Sequence, residues 1–178
     1  VTAVRLPYPH PEDHPEPLKE VPPLNLFRAF GNAPAYTGGL IDLGLVGLGK
    51  LILTSRQREL LILDTAISTG SAYVTQAHIP FGQAVGITGE QASFIRQREP
   101  LPGPLRPEEA VLLAVGRELL QNATCTDETI QRAYLLCGAQ AVTEALILVG
   151  YYRLVCGFAN ALDVEPDGKS GQMLPYTS

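Results

Sequence analysis

The chain has 178 residues, 46% of them hydrophobic and 17% charged, the make-up of one globular domain long enough to bury a core. A net charge of −5 with no basic cluster argues against nucleic-acid binding as the main activity. The two most apolar stretches, 40–53 and 141–159, are interrupted by glycines and Asp42 in the first and by Glu144 and Arg153 in the second. Neither reads as a membrane span, and a soluble protein is expected.

Three cysteines, Cys125, Cys137 and Cys156, match no metal or disulfide spacing and read as buried free thiols in a reducing compartment. The sequence as given opens with no basic, then apolar, secretory pattern, so a cytoplasmic setting is expected.

Residues 1–23 read as an extended arm, because Pro7, Pro9, Pro11, Pro15, Pro17, Pro22 and Pro23 oppose regular helix. His10 and His14 lie here among acidic residues, and a solvated arm or a strap over a neighbouring subunit is the expected role, not a metal site. From Asn25 the pattern is helical, with Leu26, Phe27 and Phe30 on one face and Gly31 and Pro34 as the stop. Over 35–52 the leucines suit a helix, and the glycines among them suit close helix-to-helix approach. No phosphate-binding glycine motif stands between a strand and a helix.

Thr54-Ser-Arg-Gln57 is a capping box opening a helix to about Thr69, and Thr88-Gly-Glu-Gln91 is a second. Between them, Ala72 to Val85 forms a helix that Pro80 should kink. Residues 99–107 form a linker. Pro107 starts the next helix, Thr126 caps another that runs to Cys137, and the last runs from about Ala141 to Leu162. No alternating segment bounded by turns suggests a strand. The fold class is all-α, with roughly seven to eight helices in a domain over 24–168 and a loop-like tail over 169–178.

The chemistry centres on ELLILDTAISTGSAYVTQAH, residues 59–78. Glu59 lies eleven residues before Gly70 and His78 eight residues after it. At ~1.5 Å per residue, antiparallel helices bring them to levels about 4–5 Å apart. A carboxylate facing an imidazole suits proton transfer near neutral pH. The plainer reading is a helix-start charge and a core or interface histidine. Ser71 as a nucleophile is the weaker reading, because His78 lies seven residues along the same helix; it reads as a helix cap.

The stretch RQRELLILDTAISTGSAYVTQAHIPFGQAVGITGEQ, with NLFRAFGNAPA before it and LRPEEAVLLAVGREL and LVGYYRLVCGFANALDVEPDG after it, resembles the carboxymuconolactone decarboxylase family. That family includes the alkylhydroperoxidase D-like proteins, and the resemblance covers roughly 20–168. In its peroxidase-type members a glutamate precedes a Cys-x-x-Cys-x-x-x-His motif by twelve residues. Glu59 and His78 match the glutamate and histidine, whereas the cysteine positions hold Ser71 and Val74. Serine and valine cannot run a thiol–disulfide cycle.

The resemblance implies an alkylhydroperoxidase D-like helical bundle assembled as a homotrimer or hexamer, with a pocket near the subunit contacts. It implies acid–base chemistry without metal or organic cofactor on a small cyclic acid or lactone. His78 and Glu59 would then transfer protons and Tyr73 would donate a hydrogen bond. Arg56 and Arg58 would hold a substrate carboxylate, and Ser71, Phe27 and Tyr152 would contact the substrate, with Phe30 and Tyr151 as further wall candidates. The competing readings are a non-catalytic oligomeric binding or scaffold protein and a metal-dependent enzyme. The second is disfavoured because His78 is the one histidine outside the arm.

Overall fold

The structure, a computed structural model, describes residues 4–168. Among them no strand forms, and the helices are α1 (Glu16–Lys19), α2 (Asn25–Phe30), α3 (Pro34–Gly49), α4 (Ser55–Ser68), α5 (Ala72–Ala84), α6 (Gly89–Arg96), α7 (Pro107–Asn122) and α8 (Asp127–Leu162). The all-α expectation is met. The tail from 169 lies outside the described residues.

α4 is the central helix. Arg58 through Ala66 are all buried, because α5, α6, α7 and α8 surround it. A helix buried on every side must be apolar nearly all round, and Leu60, Leu61, Ile62, Leu63 and Ala66 supply that. Fully burying a leucine or isoleucine contributes about 1.5–3 kcal/mol. The three buried ionisable groups on α4 work against this, and each has a polar partner. Asp64 accepts from Arg117 (Nη2–Oδ1 2.8 Å) and Arg98 (Nη1–Oδ2 3.1 Å). Arg58 donates to the Leu53 carbonyl (2.9 Å) and to Ser55 Oγ (2.9 Å). Glu59 meets His78, described below.

The capping boxes form as the sequence indicates. Thr54 Oγ1 accepts from Gln57 N–H at 3.2 Å while the Gln57 side chain takes the Thr54 N–H at 2.9 Å. Thr88 and Gln91 repeat the arrangement on α6. Glu144 of α8 anchors the entry to α4 from outside, accepting from the Ile52 and Leu53 N–H groups at 3.2 and 3.1 Å.

Two helices run through residues expected to weaken them. α3 contains five glycines, and two of them meet α8: a methyl group at Gly44 would lie 2.6 Å from the Tyr151 hydroxyl, and one at Gly47 would lie 3.2 Å from Leu148. The lost helix propensity is exchanged for close packing. α5 continues through Pro80. α8 is two helices meeting at Gly138, whose φ of 81° and ψ of 162° are non-helical. By length and composition α8 passes for a membrane span, yet Ala145, Leu148, Val149, Val155, Cys156 and Ala159 of its second half are buried in the protein core.

In the N-terminal segment, Pro11–Asp13 forms a 3-10 turn and α1 a single helical turn. Prolines permit that turn because Pro17 occupies one of its first positions, where no intrahelical N–H is required. Leu18 is buried. The Arg5 N–H donates to the Leu162 carbonyl at 2.8 Å, so the two ends of the described chain meet.

Candidate active site

The α4–α5 turn sets the site. Gly70 takes a φ of 66°, a left-handed conformation that glycine adopts without penalty. Ser71 then caps α5, its Oγ accepting from the Val74 N–H at 3.4 Å. Asn160 of α8 donates to the Thr69 carbonyl at 2.8 Å and ties the turn to the core. With the two helices so aligned, His78 Nδ1 lies 3.0 Å from Glu59 Oε2. Glu59 is fully buried, and its other oxygen, Oε1, has no hydrogen-bond partner. A half-satisfied buried carboxylate is costly.

The second imidazole nitrogen, Nε2, lies 3.3 Å from the Tyr152 hydroxyl of α8. Burial pushes the Tyr152 phenol well above its ordinary range, reinforced by Tyr151 and Glu59, so its oxygen keeps its proton. In the neutral tautomer whose Nδ1 hydrogen points to Glu59, Nε2 accepts from that hydroxyl. The Tyr152 ring stands edge-on to His78 at 5.2 Å and to Tyr151 at 5.3 Å. Rotation of either group is thereby restricted.

Tyr73 sits elsewhere in the same wall. Its hydroxyl donates to Asp167 Oδ2 and accepts from the Leu26 N–H at 3.4 Å, while Asp167 Oδ1 accepts from the Asn25 N–H at 2.7 Å. Burial raises the Tyr73 phenol, and its hydrogen bond to Asp167 raises it further.

These groups border a cavity of about 170 Å³ lined by Leu26, Phe27, Leu48, Tyr73, Val74, Gln76, His78, Phe81, Tyr151, Tyr152, Val155 and Asp167, among others. Its walls come from α2, α3, α5, α8 and the segment after α8. His78, Tyr73, Phe27 and Tyr152 are thus brought together, with Glu59 behind His78. The remaining candidates are not. Arg56 spans Glu109 (2.7 Å), Gln91 (2.8 Å) and the Gly86 carbonyl, joining α4 to α6 and α7. Arg58 is held by Leu53 and Ser55 and does not line the cavity. Arg56 faces away because its side of α4 meets α6 and α7. Ser71 is consumed by capping, and Phe30 packs on Phe158 at 4.9 Å.

Asp167 and Gln76 are the polar wall residues that sequence reasoning missed. Asp167 lies 94 residues from Tyr73 in a stretch with no periodicity, and only tertiary structure makes it a neighbour. Cys156 is fully buried; burial raises its thiol, with hydrogen bonds to Thr69 and Ser71 pulling the other way. Among the described residues no group of three or more His, Cys, Asp or Glu side chains is placed to hold a metal ion.

Helix order and packing define an alkylhydroperoxidase D-like fold. The chain is similar to the crystal structure of an alkylhydroperoxidase AhpD core, an uncharacterized peroxidase-related protein from Ralstonia eutropha JMP134. The TM-score is 0.80 at 14% identity, covering 96% of this chain and 95% of that one. It is also similar to a protein of unknown function from Agrobacterium tumefaciens, a putative antioxidant defence protein AhpD, with a TM-score of 0.66 at 12% identity over 79% of this chain and 96% of that one. No family model matches the sequence, and no curated protein matches it significantly.

Proposed function

We propose that the protein is a cofactor-independent acid–base enzyme acting on a small cyclic, oxygenated substrate. The observation that supports this is the chain Glu59–His78–Tyr152, in which each contact is within hydrogen-bond reach and the last two members face the cavity. His78 Nε2 removes a proton from carbon beside a carbonyl. Glu59 stabilises the imidazolium that results. The Tyr152 hydroxyl, released from Nε2 as that nitrogen gains its proton, turns to the oxygen on which enolate charge accumulates. Return of the proton to a different carbon completes an isomerisation. Lactone opening and decarboxylation use the same groups.

The names of the two similar structures suggest peroxide chemistry. The positions that a redox pair would occupy are Ser71 and Val74 here, and Cys156 stands alone and fully buried. Thiol-dependent peroxidase activity is therefore disfavoured.

Self-association as a trimer or hexamer is part of the same proposal. It is supported by exposed apolar side chains on three helices, among them Tyr36 on α3, Ile79 on α5, and Leu135, Ile147 and Leu154 on α8. Cytoplasmic location fits three unpaired thiols.

The test is deuterium wash-in: butenolides and cyclic enones incubated with the protein in D2O and followed by proton NMR. Enzyme-dependent exchange beside the carbonyl is the expected result. Binding of these rings without exchange would favour the non-catalytic binding protein.

A further inference from the structure

We propose that the cavity selects an electrically neutral ring and rejects the carboxylate analogue of that ring, with Asp167 as the specificity-determining residue. This rests on the cavity being the substrate site, as in the preceding reading, and narrows its substrate class. Among the described residues, no lysine or arginine lines the cavity. The two arginines on α4 are committed elsewhere: Arg56 to Glu109, Gln91 and Gly86, Arg58 to Leu53 and Ser55. A substrate carboxylate entering here would lose water and find no guanidinium or ammonium in return.

The charge that the wall does present is negative. Asp167 accepts from the Asn25 N–H at one oxygen and from the Tyr73 hydroxyl at the other, an arrangement that suits the carboxylate form. Among the described residues it forms no salt bridge. Like-charge juxtaposition in a partly dry site is an effective device for refusing a ligand. A cationic ring is not the expected ligand either, since both Asp167 oxygens already accept hydrogen bonds from within the protein.

The rest of the lining fits a neutral ring. Leu26, Phe27, Leu48, Val74, Phe81 and Val155 give apolar walls. An apolar cavity of ~150 Å³ takes up a benzene ring, so about 170 Å³ accommodates one six-membered ring with a small substituent. The Tyr152 hydroxyl supplies a donor for one ring carbonyl. For the enzyme reading, the consequence is that isomerisation or lactone opening of an uncharged ring is favoured over decarboxylation of an acid.

The experiment uses three probes of one size, benzamide, benzoate and benzylamine, titrated against the full chain at pH 7.5 and followed by chemical-shift changes. Benzamide should bind roughly tenfold or more tightly than benzoate. Asp167→Asn should shrink that gap at least threefold. Because Asp167 also anchors Asn25, a second variant is needed: Gln76→Arg changes an exposed lining residue and should tighten benzoate at least fivefold without improving benzamide. Benzoate or benzylamine binding as well as benzamide overturns the proposal, as does absence of binding by all three. Following deuterium exchange in the native chain beside the titrations separates the two readings. Selectivity without proton exchange in the native chain defeats the catalytic proposal alone, and exchange without selectivity defeats this one alone.

Discussion

Glu59 and His78 are nineteen residues apart in sequence and 3.0 Å apart in space, joined across one glycine turn with the carboxylate wholly out of water. Removing the carboxylate's charge while keeping its shape isolates its role. Glu59→Gln should lower the rate of proton exchange by ~10²–10⁴ and leave ring binding nearly unchanged. The amide relieves a buried charge, so thermal stability should not fall with the rate. A proportionate loss of melting temperature and activity would assign Glu59 to structure instead.

Tyr152→Phe keeps the ring that packs edge-on against His78 and deletes only the hydroxyl. The account expects kcat to fall by ~10²-fold with KM little altered, because the donor acts on charge that develops during reaction. An increase in KM at constant kcat would instead make Tyr152 a ground-state contact.

Alkaline pH should destabilise the fold through its buried phenols. Tyr73, Tyr151 and Tyr152 are all raised above the ordinary value of 10.0, Tyr151 to about 12. The folded state therefore holds protons that the unfolded chain releases. Their contribution is fully present below about pH 10 and is lost as pH rises from there towards and beyond 12. Urea midpoints measured at increasing pH check the sign. Replacing Tyr151 by phenylalanine should flatten the fall.

Asp64 predicts stability without touching the cavity. Its buried carboxylate serves Arg117 and Arg98 together, and Asp64→Ala leaves the better-buried guanidinium of Arg117 without its counter-charge. The expected loss is about 3–5 kcal/mol, read by urea denaturation. By contrast Thr54→Ala, which removes only the α4 cap, should cost about 1 kcal/mol.

Much of the fold was legible locally. Capping residues and stop signals act within a few positions, so Thr54, Thr88, Thr126 and Gly31 marked helix ends that the structure shares. The Glu59–His78 spacing was legible because one short turn fixes it. What depends on several segments was not. The resemblance made Arg56 and Arg58 substrate ligands, but their partners, Glu109 and the Leu53 carbonyl, are known only once α4 is buried. Tyr73 and Tyr152 exchange emphasis for the same reason: Asp167, brought in by the chain after α8, claims the Tyr73 hydroxyl, and Tyr152 remains to face His78.

The central claim is that His78 moves a proton to and from a bound ring. Deuterium wash-in on a butenolide in D2O, compared between the native chain and His78→Ala with ring binding verified for both, addresses it most directly. The account predicts exchange with the native chain and a loss of ~10²-fold or more in the variant. Equal exchange in the two proteins, or none above buffer with a ring that binds, would contradict it.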